Sequence, residues 1–137
     1  MGRYTSGDIE YKFMFGVQSS DAANRFKVKP EYIFWEEDDC VPILTNLYYK
    51  FTKNNLQDVK NELKLIQDEI GEPFKGFYNY FKKNKYEYSP EELIKILGLQ
   101  RDDFDKKIKL FADFRLGEKI KEVIEKRGKC EFCVELE

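Results

Sequence analysis

The period of the apolar residues changes twice along this chain, and that constrains the fold more than any other feature. Ile9, Tyr11, Phe13, Phe15 and Val17 alternate with Glu10, Lys12, Met14, Gly16 and Gln18, the period of a half-buried strand. Alternation returns at the far end, where Cys130, Phe132, Val134 and Leu136 are separated by Glu131, Cys133 and Glu135. Much of the sequence between them follows a helical period. A single strand at the end of a chain is unstable in water. The terminal strand is therefore expected to pair in the same sheet as the first, tying the two ends together.

The elements between them follow from local chemistry. Ser19, Ser20 and Asp21 offer side-chain oxygens that can cap a short helix over residues 20–26, which Lys29-Pro30 then breaks. Tyr32, Ile33, Phe34 and Trp35 form an aromatic and β-branched run that suits a second strand. Leu47, Tyr49 and Phe51 alternate as a third strand, with a helix over residues 41–51 as the alternative. Asn55 is placed to cap a helix with Leu56, Val59, Leu63, Ile66 and Ile70 on one stripe, stopped by Gly71 and Pro73. Phe74, Phe77, Tyr78 and Phe81 mark the next helix. Ser89-Pro90-Glu91-Glu92 starts a short one that Gly98 closes. A last helical region opens at Asp102 or Asp103 and ends at Gly128, with Gly117 as a point where it can split. The expected class is α+β, a small and largely antiparallel sheet of N-terminal strands plus the C-terminal strand, covered on one face by helices.

The 137 residues suit one domain, residues 1–137, and a chain of that size buries roughly two-thirds of its unfolded surface. Its 12 Phe and 9 Tyr predict a core built on rings. Charged residues make up 36% of the chain, yet the net charge is −2, so binding a polyanion requires a local patch. The chain contains no histidine, which excludes Ser-His-Asp, Cys-His and histidine-based zinc chemistry within it. Three widely spaced cysteines, Cys40, Cys130 and Cys133, do not form a disulfide framework and suit a reducing compartment. No membrane span or signal peptide is expected, and the cytoplasm is the expected location.

Several clusters carry possible chemistry, each beside a plainer reading. Cys130 and Cys133 resemble half a metal motif, but strand positions three apart face opposite sides, so one is expected buried and one solvent-facing. Glu36, Glu37, Asp38 and Asp39 could attract a hard cation but lack a spaced ligand pattern. They more readily end a strand in solvent or meet basic groups on a partner. The stretch from Phe74 to Tyr86 interleaves rings with cations and could hold single-stranded RNA. There Phe74, Phe77 and Phe81 read as core, leaving Tyr78, Tyr80, Lys82, Lys83 and Lys85 outward. Gln18, Ser19, Ser20 and Asp21 could bind an anion but are explained by capping. Asp8, Glu10 and Asp21 are the carboxylates on which a small metal-dependent hydrolase or nuclease would rely. No phosphate-binding glycine motif is present, and no cofactor or resident metal is expected.

The run Gly7-Asp8-Ile9-Glu10, Lys12-Phe13 and Phe15-Gly16-Val17-Gln18-Ser19-Ser20-Asp21-Ala22-Ala23 resembles the opening of small accessory proteins of bacteriophages, large DNA viruses and mobile elements. Tyr11 stands where those proteins carry glycine. The resemblance implies a viral or prophage accessory protein that binds a host machine, inhibitors of CRISPR nucleases included. It carries over no catalytic residue. The expectation is a non-enzymatic binding protein that inhibits or diverts a host defence complex such as an RNA-guided CRISPR nuclease. Its expected surface is Trp35, Glu36–Asp39, Tyr78, Tyr80, Lys82, Lys83 and Lys85. An RNA-binding module on residues 74–86 is the first alternative and the carboxylate hydrolase the second.

Overall fold

A computed structural model describes residues 4–9, 11–12, 21–35, 42–84 and 88–135. Strands β1 (Tyr4–Gly7) and β2 (Tyr11–Lys12) precede a 3-10 helix, Ala22–Phe26. Strands β3 (Glu31–Trp35) and β4 (Ile43–Thr52) follow. A 3-10 turn, Lys53–Asn55, leads into helices α1 (Leu56–Ile70), α2 (Pro73–Asn84), α3 (Pro90–Leu97) and α4 (Arg101–Arg127). Strand β5 (Lys129–Glu135) comes last. The five strands lie in the order β2-β1-β5-β4-β3, and every neighbouring pair is antiparallel. The fold is α+β, as the period change predicts. Among the described residues no helix is long and apolar enough to cross a membrane.

The last strand is placed between β1 and β4, so the two ends of the described chain do pair. Thr5, Ser6 and Gly7 stand opposite Val134, Cys133 and Phe132. The pairing segment is earlier than the alternation predicts. The expected strand from Ile9 to Val17 is described only at residue 9 and at β2, and residues 13–20 lie outside the described residues. The chain leaves β1 at Gly7, whose φ of +119° suits glycine, and a Cβ there would stand 2.8 Å from the Glu131 carbonyl oxygen. The Asp8 N–H then donates to that carbonyl at 2.9 Å, and Ile9 turns into the core.

Alternation decides the two faces of the sheet. Leu47, Tyr49 and Phe51 of β4 and Cys130, Phe132 and Val134 of β5 are buried beneath the helices. Tyr48, Glu131 and Cys133 on the other face are half-buried, and Lys50 is exposed. The segment from 43 to 52 is thus a strand and not a helix. The core is built on rings, as composition predicts. Phe132 stacks on Tyr49 at 5.3 Å and on Phe51 at 6.1 Å, while Phe77, Phe81 and Phe111 stack deeper among the helices.

The helices begin and end largely where the sequence signals them. The expected stripe of α1 buries Val59, Leu63, Ile66 and Ile70. Asn55, however, does not cap α1: its side-chain oxygen accepts from the Thr52 N–H at 2.8 Å, within the preceding turn. Ser89 caps α3 by accepting from the Glu92 N–H at 3.3 Å. Gly117 does not split α4, which runs unbroken for 27 residues. Its role is close approach. A Cβ on Gly117 would stand 2.5 Å from Phe26 Cζ and 2.6 Å from Leu63 Cδ2.

That contact fixes a sign. Alanine at an exposed helical glycine gains about 1 kcal/mol of helix propensity. At Gly117 the methyl must displace two buried side chains, and overpacking of this kind costs about 1–3 kcal/mol. Gly117→Ala is therefore expected to lower the urea midpoint, and a raised midpoint would refute the packing role.

Candidate interaction surface

Four of the six exposed large apolar side chains of the described surface lie on β3. It lies at one end of the sheet, paired through Glu31–Tyr48, Tyr32–Leu47, Ile33–Asn46, Phe34–Leu44 and Trp35–Ile43. The register skips Thr45, whose hydroxyl donates to the Ile33 carbonyl at 3.3 Å. The extra residue belongs to β4, so β3 itself runs without interruption. All five of its residues are exposed: Tyr32 is 60% accessible, Ile33 39%, Phe34 52% and Trp35 55%. Among the described residues no strand lies on its far side. A row of unpaired backbone groups flanked by large apolar side chains is a template for a further strand.

This edge is held by a rigid approach. Ala23 and Phe26 of the preceding 3-10 helix are buried. Arg25 donates to Glu62 at 3.2 Å and to Glu69 at 2.8 Å, and Tyr49 donates to Asn24 at 2.6 Å. Glu62 is the buried charged side chain of the core and also lies 3.7 Å from Lys27. Burial pushes the Tyr49 hydroxyl up. With the start of β3 so anchored, its exposure is a built feature of the sheet edge.

The other expected contact residues fall differently. Trp35 sits on β3, whereas Glu36, Glu37, Asp38, Asp39 and Lys85 lie outside the described residues. Tyr78 and Tyr80 are not the free outward rings expected of them: both are half-buried. The reason is packing within the helical layer. Tyr78 packs on Phe74 at 5.9 Å, Tyr80 on Phe81 at 5.2 Å, and the Tyr80 hydroxyl accepts from the Ser89 N–H at 3.5 Å. Lys82 and Lys83 are exposed in the last turn of α2, where cations suit the helix dipole. β3 packs chiefly on β4, while α2 packs on α1, α3 and α4. The expected surface therefore divides between two layers. Sequence reasoning missed Tyr32, Ile33 and Phe34 as surface residues. The signal was present, because four consecutive apolar residues cannot all face one side of a strand.

The carboxylates considered for metal chemistry are engaged or dispersed. Asp8 lies at the bend after β1 and not within a strand, and Glu10 lies outside the described residues. Asp8 accepts from the Glu131 N–H at 2.9 Å and pairs with Arg127 at 3.1 Å. Glu131 accepts from the Tyr48 hydroxyl and pairs with Lys129 at 3.0 Å. These bonds hold the Glu131 carboxyl low and push the Tyr48 hydroxyl up to about 12. Asp21 is exposed at the start of the 3-10 helix. Among the described residues no group of three or more His, Cys, Asp or Glu side chains is placed to hold a metal ion.

Cys130 and Cys133 face opposite sides of β5, as the strand reading predicts, with Cys130 buried and Cys133 half-buried. Burial pushes the Cys130 thiol up to about 12 and raises that of Cys133. A cleft of about 300 Å³ between α1 and α4 is lined by Lys60, Lys64, Lys121, Phe114 and Glu118, among others. Burial raises the Glu118 carboxyl against the opposing pull of Arg115, 3.7 Å away. No known family, curated protein or solved structure matches this chain.

Two outcomes follow from these environments. In a Cys40→Ser background, a thiol reagent at about pH 8 should modify Cys133 and spare Cys130 until denaturant is added. Equal labelling of both in the folded protein would contradict their placement. Glu118 gains proton affinity on folding, so its charge opposes folding above the ordinary carboxylate range, and that penalty fades as the pH falls through the raised value. Glu118→Gln should raise the urea midpoint at neutral pH and lose this advantage in acid. A lower neutral midpoint would show that the ion pair with Arg115 dominates.

Proposed function

We propose that this protein is a non-enzymatic binding protein of a phage or mobile element that captures an extended segment of a host defence complex on the open edge of β3. An RNA-guided nuclease in the host cytoplasm is the first target to examine. The observation that carries this reading is the exposure of Tyr32, Ile33, Phe34 and Trp35 together on one edge strand. Strand addition draws affinity from main-chain hydrogen bonds and specificity from alternate side chains. Buried aromatic anchors supply the largest single contributions at interfaces. Four acids follow Trp35 directly in sequence, so a partner segment flanked by lysine or arginine complements this edge best.

The engagement of Asp8 and Glu131 by neighbouring groups favours binding over metal-dependent hydrolysis. The half-buried state of Tyr78 and Tyr80 weighs against base stacking on residues 74–86. RNA binding there would still register as an affinity that falls steeply with salt in a filter-binding titration.

The test is co-purification from host lysate, identification of the captured protein, and reconstitution with that protein purified. Phe34→Lys and Trp35→Ala alter exposed side chains and should leave the melting temperature nearly unchanged. Each should weaken the reconstituted complex by about 30-fold or more, the scale of an interface hot spot. A complex that forms equally well with both variants removes β3 from the interface and this reading with it.

A further inference from the structure

We infer that the segment captured on β3 is an antiparallel strand, apolar on both faces where it meets Tyr32, Ile33 and Phe34, with a lysine or arginine opposite Glu31. That its owner is a host protein rests on the docking function proposed above. The reading frame rests on β3 and its neighbours alone.

Two separate observations fix where the main-chain groups of β3 point. The Thr45 hydroxyl donates to the Ile33 carbonyl at 3.3 Å, so that carbonyl faces β4. Across the sheet, the Glu131 carbonyl accepts from the Asp8 N–H and the Glu131 N–H donates to the Asp8 side chain, both at 2.9 Å. Glu131 therefore turns its main-chain groups away from β4. In an antiparallel ladder, opposed residues face each other or both face away, and the sense alternates along each strand. Lys50 stands opposite Glu131 and so faces β3. Tyr48, two residues earlier, does the same, and Glu31 opposite it faces β4. Alternation then sets Ile33 and Trp35 toward β4 as well, in agreement with the Thr45 contact. The bulge does not disturb this, because its extra residue lies in β4. Tyr32 and Phe34 are left to present one N–H and one carbonyl each to the open edge. Pro30, the next residue in that phase, has no N–H, so the row of donors begins at Tyr32.

The side chains set the chemistry of the occupant. Tyr32 stands opposite buried Leu47 and shares its face, and Phe34, two residues on, lies on that face too. Ile33 lies on the other. All three are exposed, so a strand added here meets apolar surface on both of its faces. A continuous apolar run complements such an edge, as it does in strands buried on both sides. An alternating polar and apolar segment would leave one face mismatched. Glu31 is the one charge of β3, is exposed, and makes no ion pair among the described residues. An opposite charge directly across from it is favourable. Antiparallel addition is the more stable per residue, and it places that base at the C-terminal end of the apolar run.

The test uses the full chain and a synthetic peptide, Gly-Ser-Thr-Ile-Val-Ile-Lys-Ser-Gly, whose isoleucines face Phe34 and Tyr32 and whose lysine faces Glu31. Hydrogen exchange of the free protein, followed by NMR, should find the Ile33 and Trp35 amides protected and those of Tyr32 and Phe34 open. The peptide should protect the second pair. N-methylation of either isoleucine should weaken binding about ten-fold or more, because it leaves a carbonyl of Tyr32 or Phe34 unpaired. N-methylation of the valine, whose N–H points away from β3, should change it little. Glu31→Lys should weaken binding about three-fold, and exchanging the peptide's lysine for glutamate should restore it. Tyr32 and Phe34 amides already protected in the free protein overturn the inference, as does a peptide that fails to bind at millimolar concentration. Equal damage from methylating valine and isoleucine, or a charge exchange without recovery, overturns it too. Host capture that depends on β3 but leaves those two amides open keeps the docking function and removes this frame. Peptide binding in this pattern with no host partner removes the docking function and keeps the frame.

Discussion

Phe132 is the contact on which the sheet depends. Its ring stacks on Tyr49 and Phe51 of the neighbouring strand, and its strand is the only one described that joins β1 to β4. Remove β5 and the sheet separates into the pair β1–β2 and the pair β3–β4, neither of which is stable alone in water. The residues that complete the core are thus nearly the last in the chain. Non-local pairings of this kind must recover the entropy of closing long loops before they stabilise anything. Helices α1 and α4, packed against each other, are the local structure on which that late strand can settle.

Placing β5 in the centre also explains why β3 is exposed. Helix α4 reaches the sheet over β4 and β5, so the strand beyond β4 gains a neighbour on one side only. Tyr32 stands opposite Leu47, which is buried, yet is itself 60% accessible. The difference is position across the sheet, because the two side chains share a face. The 3-10 helix that leads into β3 is pinned by Arg25 to Glu62 and Glu69, so the strand begins at a fixed place on the rim.

Much of this was legible from periods and caps, which are local. The strand of Cys130, Phe132 and Val134, the α1 stripe and the Ser89-Pro90 start are each set by residues within a few positions of one another. Features decided by distant contacts were not legible. Gly117 reads as a helix breaker until Phe26 and Leu63 are seen to need its missing side chain. Asn55 reads as a cap until Thr52 takes its oxygen. Tyr78 and Tyr80 read as outward rings because a helical projection cannot show where neighbouring rings and the Ser89 backbone will stand. For the surface, the sequence singled out Trp35 but gave no measure of how far the sheet would extend beyond its helices.

Natural sheet edges are usually blunted by charge within the strand itself. Here Glu31 is the one charge in β3, while the charged residues crowd the sequence on either side of it. Charges at the flanks do not repel an incoming strand; they select its direction and register. With Lys27 and Lys29 before the strand and four acids after it in the sequence, a segment of matching polarity is favoured. The same arrangement that makes the edge adhesive also restricts what can adhere.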